Sequence, residues 1–159
     1  MKKYLEFLVV IAFALAMLGC GNKVMTFERK DFTITLPNNF KEAENKSTTL
    51  YYKSDEAIVT ALKENFADLE SANINKDSTE EDYANAVIKN NNVNSKVIKK
   101  DNLTYFVYQK KTSNGNAYFV AFVKKGKDAF WLVNMGCETI KSEQYKNNFT
   151  KWAKTIKVN

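Results

Sequence analysis

Three successive segments in the second half of the chain, Leu103–Lys111, Ala117–Lys125 and Ala129–Met135, are apolar on both faces of an extended backbone. In the first, Leu103, Tyr105 and Val107 oppose Phe106 and Tyr108. In the second, Phe119 and Val123 oppose Val120 and Phe122; in the third, Phe130 and Leu132 oppose Trp131 and Val133. Side chains alternate along a strand, so a sheet wetted on one side carries polar residues at every second position. These segments do not, and both faces of their sheet need a cover. Two layers are too few.

The turns between these strands are legible. Thr112-Ser113-Asn114-Gly115-Asn116 contains Asn-Gly, a strong hairpin signal, and Lys125-Gly126-Lys127-Asp128 joins the next pair. Upstream, Thr26-Phe27-Glu28 and Phe32–Leu36 alternate with period two and predict a hairpin that ends at Pro37, the only proline. A second hairpin is predicted from Thr49–Lys53 and Ala57–Leu62 around Ser54-Asp55-Glu56. The stretch Glu64–Asn75 fits a loop or one helical turn equally.

Two helices can supply the covers. After Asp77-Ser78-Thr79-Glu80-Glu81, Ser78 is placed to cap and Glu81 to reach back, with Tyr83, Ala84, Val87 and Ile88 on one face. At the C-terminus, Tyr145, Phe149, Trp152, Ala153 and Ile156 form one apolar stripe on a helix predicted over Ser142–Lys157. One helix per face predicts an α+β fold, a three-layer α/β/α sandwich around a central antiparallel sheet.

The first 19 residues tell where such a domain is delivered. Met1-Lys2-Lys3 precedes an uncharged run from Phe7 to Leu18, the pattern of an export signal. As a helix this run is about 18 Å long, short of the roughly 30 Å hydrocarbon core. Met17-Leu18-Gly19-Cys20 then resembles the lipobox of bacterial lipoproteins. The resemblance implies diacylglycerol on Cys20, cleavage before it, and anchoring on the extracytoplasmic side of the bacterial cell membrane. The expected organisation is a signal peptide over 1–19, the lipidated cysteine and a tether over 20–25, and a globular domain over 26–159.

Composition excludes several chemistries. There is no histidine, so His-based triads and His metal sites are out. With Cys20 lipidated, Cys137 is unpaired and reads as a part-buried hydrophobe at a strand end, not a nucleophile. Glu80-Glu81-Asp82 is explained by helix-start electrostatics, and no metal site is expected. No cofactor is implied. The formal net charge is +6, yet Arg29 is the only arginine among 24 basic residues. That bias argues against nucleic acid as a partner, since bidentate base and phosphate readout favours arginine.

The order of elements resembles a known family. Phe32-Thr33-Ile34-Thr35-Leu36-Pro37, the Tyr-rich second hairpin, the mid-chain helix, Phe130-Trp131-Leu132-Val133 and the closing Phe149–Lys157 are similar to PsbP-like proteins. These include the extrinsic PsbP subunit of photosystem II, a yeast Ran-binding protein and many bacterial lipoproteins. The likeness runs over nearly all of residues 26–158 and rests on fold-determining positions. It implies a PsbP-like fold and a non-catalytic domain that binds or supports something.

Three functions compete on this sequence: a binding or accessory module for envelope components, an envelope hydrolase working with carboxylates, and a structural spacer without a specific ligand. For the first, pairing through the Asn114-Gly115 turn should gather Lys99, Lys100, Lys124, Lys125 and Lys127 at the opposite end of the sheet. Those five lysines are the candidate contacts to anionic polymers or headgroups. The expected partners are therefore membrane lipid through Cys20, and envelope proteins or anionic polymers through the domain.

Overall fold

A computed structural model describes residues 23–113 and 115–159; the predicted leader, Cys20 and Asn114 lie outside the described residues. Among those described, ten strands pair antiparallel in two sheets. The larger sheet contains β3 (Lys41–Glu42), β4 (Leu50–Lys53), β5 (Ala57–Asn65), β6 (Ile98–Lys100), β7 (Leu103–Thr112), β8 (Gly115–Lys125) and β9 (Ala129–Glu138). Its strand order is β3-β4-β5-β9-β8-β7-β6. The smaller sheet places β2 (Phe32–Pro37) between β1 (Val24–Arg29) and β10 (Lys157–Val158).

The three segments with two apolar faces sit side by side in the large sheet, as their patterning requires. Its first face carries Val59, Val120, Phe122, Trp131, Val133 and Met135, all buried in one cluster. That cluster is closed by Phe32, Ile34 and Leu36 of β2 and by Tyr145, Phe149 and Ala153 of α3 (Ser142–Ala153). The second face carries Phe106, Ala121, Val123 and Phe130, buried under Tyr83 and Ala84 of α2 (Glu80–Asn90). There the Tyr83 ring stacks on Phe130 at 4.6 Å between centroids. The short α1 (Phe66–Leu69) and a 3-10 turn over Glu70–Ala72 fill the ambiguous stretch, with Phe66 edge-on to Phe130 at 5.3 Å.

The layers are therefore three, but the cover on the first face is a helix and a small sheet together. The C-terminal helix stops at Ala153, not Lys157. A turn through Lys154, Thr155 and Ile156, closed by the Thr155 amide on the Trp152 carbonyl at 2.9 Å, sends the chain back so that Lys157 pairs with Thr33 and Val158 with Phe32. Ile156 remains buried, in phase with the helical stripe but off the helix. A side-chain link fixes this return: the Thr35 amide donates to Thr155 Oγ1 at 2.9 Å.

The start of α2 also differs by one residue from the Ser78–Glu81 reading. Thr79 is the N-cap, accepting from the Asp82 amide at 3.1 Å, while Asp82 accepts from the Thr79 amide at 2.8 Å. Ser78 is used elsewhere, its hydroxyl accepting from the Asn75 amide at 3.1 Å in the preceding turn. Strand β1 likewise begins at Val24, so Val24 and Met25 belong to the small sheet and not to the tether. In the β7–β8 hairpin, pairing continues to Thr112 opposite Gly115, whose φ of 114° suits a residue without a Cβ.

Candidate functional site

Strand register brings the five predicted lysines to one end. Lys99 lies opposite Thr104, Thr104 opposite Val123, and Lys125 opposite Phe130. Two tight turns form this end. The β6–β7 link has Asp101 and Asn102 at φ 54° and 58°, the left-handed pair a two-residue hairpin of type I′ needs. The β8–β9 link closes with the Gly126 amide on the Ala129 carbonyl at 2.9 Å.

The lysines are not equivalent there. The Lys125 ammonium donates to the carbonyls of Lys76 and Ser78 at 2.6 and 2.7 Å, and its own amide donates to Glu80 Oε1 at 3.1 Å. It also lies 5.9 Å from the Phe66 ring centroid and 5.8 Å from that of Phe130. Lys125 is a strut that ties β8 to the entry of α2. Lys99 pairs with Glu81 at 3.1 Å. Among the described residues Lys100, Lys124 and Lys127 carry no ion pair, and they are the cations this end can offer to a ligand. The sequence exposed the acidic run Glu80-Glu81-Asp82, but not that α2 would dock it against the lysines.

Between the start of α2 and the β6–β7 turn is an open hollow of about 590 Å³, bordered by Glu80, Glu81, Lys99, Lys100 and Asp101. Its three carboxylates are each engaged: Glu81 with Lys99, Glu80 with the Lys125 amide, and Asp101 with Lys154 at 3.4 Å. Such an arrangement offers mixed charge to a polar surface. A hydrolytic pair needs one carboxylate free to take a proton and another to give one.

At the other end of the sheet, Cys137 is buried on β9. Burial pushes its thiol up to about 11, which leaves it protonated and unreactive near neutral pH. Nearby, Glu56 accepts from Lys141 at 2.9 Å and from the Tyr145 hydroxyl at 2.8 Å. The Lys141 ammonium, with Tyr145 second, holds the Glu56 carboxyl below the usual carboxylate range. Burial, then Glu56, pushes the Tyr145 hydroxyl up to about 12. This cluster clasps α3 to the β4–β5 turn. Among the described residues no group of three acid or cysteine side chains is placed to hold a metal ion.

No family model matches the chain, and no curated protein matches it. Solved structures do. The solution structure of cyanobacterial PsbP (CyanoP) from Synechocystis sp. PCC 6803 superposes with a TM-score of 0.55 at 10% identity, covering 91% of this chain and 99% of that one. A crystal structure from Bacteroides thetaiotaomicron VPI-5482 superposes with a TM-score of 0.52, also at 10% identity, over 80% of this chain and 45% of that one. At such low identity the likeness speaks to the backbone alone. The sandwich of antiparallel strands and helices built by this sequence is a PsbP-like α+β fold.

Proposed function

We propose that this is a membrane-anchored lipoprotein of the bacterial envelope whose PsbP-like domain is a non-catalytic binding or accessory module. The observation that carries the reading is the junction between Met17-Leu18-Gly19-Cys20 and the fold. Only three residues separate Cys20 from Val24, where β1 begins. A diacylglyceryl group on Cys20 holds such a domain stably, since each buried methylene contributes about 0.8 kcal/mol and two chains suffice. The non-catalytic half is supported by how the ionisable groups are used. Glu56, Glu64, Glu81 and Asp82 are bound to Tyr145 and Lys141, Tyr83, Lys99 and Thr79 respectively, all within the fold. Lys100, Lys124 and Lys127 then serve as contacts to anionic polymers or to envelope proteins, while Lys99 and Lys125 shape the surface around them.

Replacement of the anchor residue tests this. Cys20→Ser should lose metabolically incorporated palmitate and be recovered unprocessed or released from the membrane. Palmitate retained on that variant would overturn the assignment.

A further inference from the structure

The large hydrophobic side chains that the described residues leave exposed are Val24, Met25 and Ile140, the last 87% accessible. They come from opposite ends of the sequence, yet contacts link them across one end of the fold. The Lys23 carbonyl, beside Val24, accepts from the Asn38 amide at 2.9 Å. Three residues on, Lys41 pairs with Lys53, which enters the β4–β5 turn. Glu56 of that turn binds Lys141, the neighbour of Ile140. On the other side, Thr139 Oγ1 donates to the Asn116 carbonyl at 3.0 Å, and Asn116 pairs with Lys111 near the β7–β8 tip.

Charge at this end has one prevailing sign. Lys23, Lys41, Lys53, Lys110 and Lys111 are exposed and hold no ion pair among the described residues. Nearby acids are partly spent: Glu56 on Lys141, and Glu143 on Lys146 at 2.7 Å. Asp55 and Glu138 remain against five free lysines. The hollow and Lys100, Lys124 and Lys127 lie at the opposite end of the sheet.

We propose that the end carrying Ile140 lies against an anionic lipid bilayer, with Ile140 entering the interface and the lysines meeting headgroups. The inference rests on lipidation of Cys20 and deepens that reading by giving the domain an orientation. Three residues of chain reach at most about 11 Å, so lipid on Cys20 holds Lys23 within roughly a Debye length of the surface. An apolar side chain among lysines is what an interface rewards. Burying Ile140 should strengthen docking about tenfold, and each lysine near an anionic surface about fivefold. The opposite end, with Lys100, Lys124 and Lys127, then points away from the membrane toward other partners.

The lipidated protein, extracted from membranes and reconstituted into vesicles, tests this. Mass spectrometry first establishes whether Cys20 carries lipid. Ile140→Cys and, separately, Lys127→Cys are labelled with an environment-sensitive fluorophore; buried Cys137 stays unlabelled, as the parent protein checks. In phosphatidylglycerol vesicles the label at 140 should shift to the blue and be quenched by brominated lipid, and the label at 127 should do neither. Combining Lys53→Glu, Lys110→Glu and Lys111→Glu should reduce quenching at 140 in phosphatidylglycerol and leave the folded state intact. If both labels report water while Cys20 carries lipid, the orientation is wrong and the anchor stands. An unmodified Cys20 would overturn the anchor and the orientation together.

Discussion

The two faces of the large sheet are covered by different means. The first face is sealed by β2, α3 and the returning C-terminus, which meet residues from β4, β5, β7, β8 and β9 in one cluster. The second face relies on α2 with help from α1, and its cluster draws mainly on β7, β8 and β9. On β5, Val59 and Ala61 of the first face are fully buried, while Ile58 and Thr60 of the second are only half-buried. The first cover is assembled from segments more than 100 residues apart, and the second from a nearly local unit. Large losses of stability should therefore concentrate on the first face.

Phe149→Ala should give the largest effect. Its ring is fully buried on α3 and packs 5.5 Å from both Tyr145 and Trp152. Large-to-small core changes of this kind cost about 3–5 kcal/mol. Trp152, at the edge of the same cluster and only partly buried, should cost less when changed to alanine. Denaturant unfolding of both variants ranks them. A Trp152→Ala loss equal to that of Phe149→Ala would move the centre of the cover toward Phe40, which meets Trp152 edge-on at 5.2 Å.

Gly136→Ala probes the second face at the Phe119 ring. A Cβ at Gly136 would lie 2.4 Å from the Phe119 ring, which stacks on Tyr108 with centroids 5.1 Å apart. The ring has to shift, and overpacking of this type costs about 1–3 kcal/mol. Adding Phe119→Ala should relieve the clash, so a double-mutant cycle should show a favourable coupling between the two changes. Additive losses would mean that Gly136 is needed for the backbone and not for the ring.

How much of this contrast could be read in advance depends on the range of the contacts. The strands with two apolar faces required two covers, and the stripe from Tyr145 to Ala153 supplied one of them. The β1–β2 hairpin was legible, but the third strand of the small sheet was hidden because β10 is two residues long and its partner strand lies more than 120 residues upstream. No local pattern marks Lys157-Val158 as a strand. The lysine end was legible for the same reason in reverse: hairpin register follows from turn position. The pairing of Lys99 with Glu81 and the bond from the Lys125 amide to Glu80 were not, because they depend on where α2 docks. The gathering of all five lysines follows from register and turn position, and the strut role of Lys125 from tertiary packing.

Thr79→Ala should have a smaller effect, confined to the cover of the second face. It removes the side-chain half of the capping box, worth about 1 kcal/mol in comparable helices. Ser78→Ala should matter through the Asn75 turn and not through helix content. Circular dichroism and melting of the two variants separate these roles. A larger helix loss in Ser78→Ala would return the cap to Ser78.

The smallest expected effect is a pH dependence at the clasp on the first face. Lys141 and Tyr145 hold the Glu56 carboxyl below its ordinary value. A depressed acid favours the folded state above its unfolded-chain value, and that contribution disappears as pH falls through the lower folded value. Stability should therefore decline on the acid side partly through Glu56, and Glu56→Gln should make that decline shallower. Because the carboxyl is open to water, screening keeps the difference small and salt should reduce it further. Tyr145→Phe leaves the Lys141 ion pair and removes the hydroxyl donor, so its acid limb should fall between those of the parent and Glu56→Gln. Melting temperatures across the acid range, at low and high salt, test the ordering. If Tyr145→Phe matches Glu56→Gln, the hydroxyl and not the ammonium governs the carboxyl, and α3 is held to the β4–β5 turn by a single bond.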